Sequence, residues 1–404
     1  MIRTIQIEGF KSILSQRLEL GRVNCFIGAN GAGKTALLEA IGLLGAAANG
    51  SLDDAALKRR GVRPGVPDLY RSSFKGQLTC PQIRLSAEHE SGARYGVALE
   101  SAASKTAPDW LYSSETLDMT AGAAPISRSD VQDRLAPGDG FVKSQMVRLP
   151  LDSPERRFIE QLQDYAIYSP NTRILRGDET DPEGRRPVGL FGGRLPDAMD
   201  ELMTQLLDFD PEESTQEQRD AGEDLYDDIL ELIDWAESVA PETPTRHLLS
   251  PSVSPGDWVL RFTDRYMADG RNRLTGYDVS EGALYVLFAA VLCLSPSAPG
   301  LLAVDNLDQA LNPRLATRLT ERLAVWLKAE SPDRQLLFTT HNPAVIDGLD
   351  LADGEIRLFA VERNTSGHTR CERIVPTPEL LALNREYPLS RLWLMGNLGA
   401  VPNV

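Results

Sequence analysis

The sequence contains no long apolar run and few cysteines, and both absences exclude classes of protein. The longest uninterrupted apolar stretch, residues 283–294, covers twelve positions, whereas about 20 are needed to cross a bilayer. The N-terminal stretch has no apolar core of the kind a signal peptide requires. The four cysteines lie far apart and form no C-x-x-C pair. We therefore expect a cytoplasmic protein with free thiols, no membrane partner and no structural zinc site.

The chain also lacks a general excess of acid, although its formal net charge is -16. Sixteen acidic residues and one basic residue, Arg219, lie between positions 197 and 237, so this segment alone carries -15. The remainder is nearly neutral, and small basic clusters occur at 57–63, 173–194 and 261–273. Each cluster is either a solvated face or a phosphate contact. The acidic segment is either a solvated helical face or a docking surface for a protein partner.

Internal repeats and sustained heptads are missing too, which leaves an alternation of element types as the main signal. In the last third, expected strands at 300–304, 335–339 and 356–361 alternate with expected helices at 313–329 and 343–347. This order indicates a parallel α/β core. Before it, the sequence predicts a hairpin around Ser91-Gly92, an irregular stretch at 101–150, and a helix with Leu225, Ile229, Leu232, Ile233 and Ala236 on one face.

The stretch "GANGAGKT", Gly28 to Thr35, matches the G-x-x-x-x-G-K-[ST] phosphate loop. It follows an expected strand and opens an expected helix, which is the context the motif needs. Backbone N–H groups of the loop would surround phosphates, and the helix dipole would add positive charge. Lys34 would reach the β- and γ-phosphates of ATP, and Thr35 would bind Mg²⁺. The loop residues assigned to nucleotide binding are Asn30, Gly31, Ala32 and Gly33.

The strand "GLLAVD" delivers one carboxylate, Asp305, to the C-terminal edge of the expected sheet. Beside a phosphate loop this residue would hold Mg²⁺; otherwise it is a strand-terminal Asp in a turn. The next residue, Asn306, stands where many ATPases place a catalytic Glu. An amide can orient water but cannot take its proton. Asp308, two residues further on, would supply a carboxylate in place of the missing Glu, although its spacing from Asp305 does not suit the usual catalytic geometry.

Two further motifs indicate a function only through their order along the chain. Ser280-Glu281-Gly282 opens an apolar helix, and His341 ends a buried strand. Alone, Ser280 would be a helix cap and His341 an ordinary strand-end residue. Phosphate loop, Ser-x-Gly, Asp strand and His strand in this order resemble the ATP-binding-cassette (ABC) ATPases. The Ser-Glu-Gly form and the opening "IEGFKS" resemble the RecF/SMC/OLD-like branch, AAA-family ATPases found in bacterial anti-phage defence systems. The resemblance covers roughly residues 1–50 and 275–365.

The resemblance implies an ATPase head that pairs head-to-head with a second copy around two ATP molecules. Ser280 and Gly282 would contact the γ-phosphate bound by the other subunit, His341 would be the switch histidine, and 310–314 would couple the two sites. A glutamine-loop residue should also exist. Asn171 or Arg173 is the favoured candidate, with Gln77 and Gln82 as alternatives.

We therefore expect a P-loop NTPase of ABC-ATPase head type, with a mixed sheet flanked by helices and a compact, mostly helical inserted lobe. The expected division is as follows: residues 1–100, N-terminal half of the head; 101–255, inserted lobe with the acidic block 197–240; 256–375, C-terminal half of the head; 376–404, packing tail.

The favoured function is an ATP-gated dimer or higher oligomer that controls a separately encoded effector, a nuclease by preference, in a defence system. Because Asn306 replaces the usual Glu, hydrolysis should be slow or partner-dependent. The tail offers no acidic cluster for metal ligands, so the nuclease is expected elsewhere. The alternative is a RecF/SMC-like DNA-repair ATPase that binds DNA directly. A transporter subunit fits less well, because the insert is long and the signature differs.

Overall fold

The computed structural model describes residues 1–101, 109–120, 124–130, 135–142, 149–207, 215–245, 249, 256–330 and 333–399, and all statements below concern these residues. The strands are β1 (Ile2–Phe10), β2 (Ile13–Glu19), β3 (Val23–Ile27), β4 (Ile83–His89), β5 (Arg94–Ser101), β6 (Trp110–Asp118), β7 (Ile126–Ser127), β8 (Ala166–Tyr168), β9 (Ala236–Glu242), β10 (Val259–Asp264), β11 (Arg273–Thr275), β12 (Leu301–Val304), β13 (Gln335–Thr340), β14 (Ile356–Arg363) and β15 (Thr369–Ile374).

The helices connect these strands and cover the sheets. They are α1 (Lys34–Ala48), α2 (Asp54–Lys58), α3 (Pro67–Tyr70), α4 (Pro154–Gln163), α5 (Thr172–Leu175), α6 (Leu195–Leu207), α7 (Gln216–Glu231), α8 (Glu281–Leu294), α9 (Pro313–Glu330), α10 (Pro343–Ile346), α11 (Pro378–Glu386) and α12 (Leu389–Leu394).

A six-stranded sheet in the order β15-β14-β3-β13-β12-β8 forms the centre of the molecule. Strands β14, β3, β13, β12 and β8 run parallel, and β15 adds an antiparallel edge. Every residue of β3, β12 and β13 is buried, as expected for parallel strands covered on both faces. The C-terminal ends of β3, β12 and β13 therefore meet at one edge, where the expected site residues follow.

A second six-stranded sheet, in the order β2-β1-β4-β5-β6-β7, is antiparallel. Helix α1 contacts both sheets, and 14 of its 15 residues are buried. An apolar helix enclosed on all sides has little amphipathic character, which explains why its sequence is rich in Ala, Leu and Gly. The helix thereby fixes the phosphate loop that precedes it.

The inserted region packs onto helix α8. Thirteen of the 14 residues of α8 are buried. Helices α6, α7 and α9 pack against it, and β9 of the three-stranded sheet β11-β10-β9 packs against α6 and α7. Leu202 of α6, Ile229 of α7 and Val286 of α8 belong to one apolar cluster. The acidic face of α7 consequently points outward while its apolar face contributes to the core.

The expected mixed sheet, the hairpin at Ser91-Gly92 and the alternating elements of the last third are confirmed. Two local expectations are wrong. The expected long helix ends at Glu231, and Ala236 begins strand β9, because residues 232–235 leave the helix before the pattern of apolar residues ends. Part of the stretch 101–150 is strand β6, paired with β5; residues 102–108, 121–123, 131–134 and 143–148 lie outside the described residues.

The expected inserted lobe, 101–255, is not separate from the head in its strand pairing. Strand β6 extends the antiparallel sheet and β8 forms the edge of the central sheet. The division into four segments therefore remains a prediction. No helix among the described residues is both long and apolar enough to cross a membrane.

Candidate functional site

The phosphate loop follows β3 and opens α1, as its motif requires. Gly28 has φ 150° and Gly33 has φ 111°, values that favour glycine. A Cβ on Gly28 would lie 2.0 Å from the carbonyl oxygen of Val361, and one on Gly33 would lie 2.2 Å from the hydroxyl of Thr369. Both glycines are therefore required by close contacts with β14 and β15. Asn30 and Gly31 are exposed at the tip, and Ala32 is buried.

Lys34 is buried at the first position of α1. Its Nζ donates to the carbonyl oxygens of Gly28 (2.7 Å) and Ala29 (3.1 Å), and it lies 3.2 Å from Nδ1 of His341. Burial lowers the pKa of Lys34 to about 8, while the carboxylates of Asp305 and Asp308 oppose this effect. An additional anion beside the amino group would favour its charged form, so the position suits a phosphate.

Thr35 and Asp305 form the second half of the cluster. The Thr35 hydroxyl donates to the two carboxylate oxygens of Asp305 at 3.0 and 3.3 Å. The hydroxyl of Thr339 donates to Asp305 Oδ1 at 2.5 Å, and the Asp305 amide donates to Tyr168 of β8. Hydroxyl and carboxylate oxygens are the ligands that Mg²⁺ prefers. The donor set of Thr35 and Asp305 therefore fits this ion.

Asn306 adopts a left-handed backbone conformation, with φ 57°. Its amide donates to the Thr339 hydroxyl at 2.9 Å, and the amide of Leu307 donates to the Thr339 carbonyl. These two bonds hold the turn against the end of β13. Asn tolerates this conformation better than most residues, including Glu. The backbone here thus suits the residue present.

Asp308 and His341 complete the group. The turn brings the Asp308 carboxylate to the amide of His341, with Oδ1 at 3.4 Å. Burial and the positive charge of Lys34 lower the pKa of the His341 imidazole, and Asp308 and Asp305 partly offset the change. We call the group formed by Lys34, Thr35, Asp305 and His341 the nucleotide edge, and Asp308 lies beside it.

Ser280 and Gly282 lie at the N-terminus of α8. Ser280 is exposed and occupies the cap position, yet its side chain makes no cap hydrogen bond. A Cβ on Gly282 would lie 3.3 Å from Leu315 and 3.5 Å from the carbonyl oxygen of Ala310. A crevice of about 220 Å³ beside Ser280 is also lined by Asn312 and Arg314. We call Ser280, Gly282 and residues 310–314 the signature face.

The candidates for the glutamine-loop residue lie in different parts of the fold. Asn171 follows β8, whose last residue accepts a hydrogen bond from Asp305, so it lies on the same edge of the sheet. Its side-chain oxygen accepts from the amides of Arg173 and Ile174 and caps α5. Gln82 instead bonds to Glu100 and Ser113 in the antiparallel sheet. Gln77 lies 3.4 Å from the imidazole of His368.

The sequence analysis did not identify Glu39, a buried carboxylate near the site. Glu39 of α1 is fully buried and accepts from Lys11 at 2.6 Å and from Arg63 at 2.7 and 2.9 Å. Burial alone would raise the pKa of Glu39, but the hydrogen bonds from Arg63 and the charge of Lys11 lower it overall. Lys11 belongs to the "IEGFKS" motif, which was the one signal available. Thr339 and Thr369 were likewise not singled out.

A cavity of about 960 Å³ is distant from these residues in the fold. It opens at the opposite ends of β12 and β13, beside Gly300 and Arg334. Nucleotides bind outside the carboxyl ends of parallel strands in open α/β sheets. We therefore place the functional site at the nucleotide edge and not in this cavity.

The fold and the nucleotide edge together define a P-loop ATPase head. Residues 146–347, half of the chain, match the family described as "AAA domain, putative AbiEii toxin, Type IV TA system". The chain therefore belongs to this AAA family. Residues 4–110 match a further family described as "AAA domain". No curated protein matches the chain.

Solved structures resemble the chain over nearly its whole length. An Smc head bound to the C-winged helix domain of ScpA is 14% identical, with a TM-score of 0.51, over 94% of this chain and 99% of that one. An SMC head domain from Thermotoga maritima has 14% identity and a TM-score of 0.44, over 92% and 98%. An Smc head from Pyrococcus furiosus bound to the C-terminal domain of ScpA has 13% identity and a TM-score of 0.44, over 95% and 99%. The first of these supports the expected head fold.

Proposed function

We propose that the protein binds Mg²⁺-ATP at the nucleotide edge and hydrolyses it slowly or only when a partner acts. The observation that carries this proposal is the meeting of Lys34, Thr35, Asp305 and His341 at the carboxyl ends of β3, β12 and β13. Lys34 and His341 can donate to phosphate oxygens, and the side-chain oxygens of Thr35 and Asp305 can bind a metal ion. Together at one phosphate loop, these groups fit a triphosphate and its metal.

In this proposal each side chain has a separate task. Lys34 donates to the β- and γ-phosphates once these replace the backbone carbonyls as its partners, and the loop amides hold the phosphate oxygens. Thr35 and Asp305 would bind Mg²⁺, which neutralises charge that develops on the phosphate oxygens during transfer. His341 lies next to Lys34, so its imidazole is placed to contact the γ-phosphate.

Slow turnover follows from the residue after Asp305. Asn306 has no carboxylate to take a proton from the attacking water, so at most its amide orients that water. Asp308 is the nearest carboxylate after Asp305 in the turn, and its contact with the His341 amide holds it beside the site. We propose that Asn306 and Asp308 together align the water without activating it strongly.

The signature face supports a dimer of heads. Ser280 keeps its hydroxyl free of a cap bond, and Gly282 lies against residues 310–314 rather than being part of the hydrogen-bonded cluster at the phosphate loop. We propose that a second copy presents this face to the γ-phosphate, so that ATP closes the pair. Since product release would then require opening, ATP would act as a gate.

The biological setting that we propose is bacterial defence, with the closed dimer controlling a separately encoded effector, a nuclease by preference. Support comes from the family assignment and from the exposed acidic face of α7, which suits a basic protein surface. The alternative is direct DNA binding in repair. The small basic clusters keep that alternative open, whereas the local acidity of the lobe favours a protein partner.

ATP-dependent association tests the proposal. The oligomeric state should be measured by sedimentation velocity with a non-hydrolysable ATP analogue and Mg²⁺, with and without duplex DNA. A dimer that forms with the analogue alone supports the gate. Turnover that rises on adding DNA and falls steeply with salt would favour the repair function. Brisk turnover by the protein alone would contradict the slow-hydrolysis part.

A further inference from the structure

Three arginines lie together at the cavity beside Gly300 and Arg334, at the end of the central sheet opposite to the nucleotide edge. They are Arg59, Arg60 and Arg185, and we call them the arginine cluster. The Arg185 guanidinium donates to the backbone carbonyl of Arg59 at 3.2 Å, so two of the three residues are in direct contact. Because like charges at close range are unfavourable, such a cluster needs a compensating anion or a structural reason.

Arg60 is the buried member of the cluster, with 3% of its surface exposed. Its guanidinium donates to the backbone carbonyls of Ala56 at 2.9 Å and Gln163 at 2.6 Å. Burial and the positive charges of Arg185 and Arg59 lower the pKa of Arg60 to about 10. The two carbonyls hold the guanidinium in place but carry no full negative charge to balance it.

The carboxylates on the cavity wall leave much of this charge unbalanced. Asp164 is near enough to favour the charged form of Arg60, but it already pairs with Arg185 at 2.6 Å. Arg59 is exposed and has no ion-pair partner within the described ranges. The other carboxylates of the wall, which form no ion pair with the cluster in the described part of the chain, are Glu90, Glu160 and Asp333. Positive charge therefore faces an open cavity.

A structural role explains only part of this arrangement. The two hydrogen bonds of Arg60 join α2 to the end of α4, and its own carbonyl accepts from the amide of Ile167 in β8 at 2.9 Å. These contacts account for one buried arginine. They do not account for two further arginines at the same opening, or for the cavity of about 960 Å³ in front of them.

The size and chemistry of the cavity indicate what it would bind. Small-molecule sites have volumes of about 300–1,000 Å³, so a cavity of about 960 Å³ is larger than an inorganic anion needs. Guanidinium groups bind phosphate through paired N–H donors. Asn49, Gln161 and Gln163 line the same cavity, and their amides can donate to and accept from hydroxyl groups or a heterocycle.

We propose that this cavity binds a phosphorylated small molecule of about nucleotide size. Its phosphate contacts Arg59 and Arg185, and Arg60 supplies positive charge behind them. The uncharged part of the ligand lies along the amide side chains of the wall. The cavity shares no residue with the nucleotide edge and lies at the opposite ends of β12 and β13. Loss of binding at one of the two places would therefore leave the other intact.

Calorimetric titration of the full chain carrying Lys34→Ala tests this site, because the substitution removes competition at the phosphate loop. The probes are uridine monophosphate, uridine and inorganic pyrophosphate. We expect uridine monophosphate to bind more tightly than pyrophosphate, and uridine to show no measurable binding. Adding Arg59→Gln should weaken the binding of uridine monophosphate about tenfold, the effect of losing a charge-assisted contact. Arg185→Gln should weaken it too.

Lys58→Gln is the matched control, because Lys58 is an exposed cation next to Arg59 in sequence that does not line the cavity. It should change the affinities by no more than about twofold, and thermal unfolding of each variant shows whether the fold is kept. Equal losses in Lys58→Gln and Arg59→Gln, or no binding of either phosphorylated probe, would overturn the site. Equal affinities for the two phosphorylated probes would overturn the organic ligand in favour of an inorganic anion. Wild-type protein that fails to bind Mg²⁺-ATP would overturn the proposed function alone.

Discussion

The nucleotide edge and the signature face differ in how far their polar groups are satisfied within one chain. At the nucleotide edge, Lys34 has three close partners and Asp305 accepts from two hydroxyls. At the signature face, the Ser280 side chain makes no cap bond and faces solvent beside a crevice. Polar groups that are fixed by neighbours are already arranged for a ligand, whereas exposed ones lose freedom only when a partner arrives.

This difference indicates which half of the site is complete. Under the proposed function, one chain would be sufficient to bind ATP, and a second copy would supply the remaining contacts. Substitutions at the nucleotide edge should therefore abolish binding in the monomer, and substitutions at the signature face should affect association alone.

The largest effect is expected at Lys34. Lys34→Ala removes the charged donor at the centre of the nucleotide edge and should weaken ATP binding by about 100-fold or more, since hydrogen bonds to charged groups are the stronger ones. Calorimetric titration with Mg²⁺-ATP measures the change. Lys58→Ala, at an exposed lysine of α2, serves as the control. Unchanged affinity in Lys34→Ala would place the nucleotide elsewhere.

The second effect concerns association. Ser280→Arg puts a large side chain on the signature face and should weaken ATP-dependent dimerisation about tenfold or more, while ATP binding by the monomer stays within about twofold. Sedimentation velocity and calorimetry measure the two quantities. Ser297→Arg, at an exposed serine beyond the other end of α8, should leave both unchanged. Loss of monomer binding in Ser280→Arg would mean that the two regions form one site within the chain.

The sequence predicted the nucleotide edge better than its surroundings, and the reason is physical. Lys34, Thr35 and Asp305 follow strands or open a helix at fixed spacings, so local pattern places them. Glu39 and Thr369 act through contacts between segments far apart in sequence, with Lys11, Arg63 and Ala32. No local period reports such contacts.

The prediction of helix boundaries was limited for the same reason, because it relied on local sequence pattern. The apolar pattern from Leu225 to Ala236 continues without interruption, yet the helix ends at Glu231. Strand β9 then pairs with β10, a pairing that fixes Ala236 in the sheet. A periodic pattern can continue across such a change because both elements face the same core.

A smaller effect is expected at Asn306. It tests whether the nucleotide edge lacks only a general base for the attacking water. Asn306→Glu should raise turnover several-fold in the dimer, because it supplies a carboxylate after Asp305. The left-handed backbone at this position should cost about 1 kcal/mol of stability in the same variant. Asn306→Asp introduces a carboxylate that tolerates this backbone better. Steady-state phosphate release and thermal unfolding measure the two effects; a turnover that falls in both variants would show that the amide itself positions the water.

The smallest effect is a pH dependence of stability that belongs to Glu39, in the helix that carries Lys34 and Thr35, and not to the signature face. The hydrogen bonds of Arg63 and Lys11 hold the pKa of Glu39 below its ordinary value of 4.5, although burial opposes them. A carboxyl with a lowered pKa stabilises the native state above its unfolded pKa, and this contribution is lost as the pH falls through the lowered value. Glu39→Gln should therefore lower the melting temperature at neutral pH and flatten its decline below about pH 4.5. Unfolding curves between pH 7 and about pH 2.5 measure the slope, and Glu88→Gln, at an exposed carboxylate, should leave it unchanged. A slope equal to that of the native sequence in Glu39→Gln would mean that the contacts of Glu39 with Lys11 and Arg63 contribute nothing to acid stability, and the fixed position of Arg63 would then need another cause.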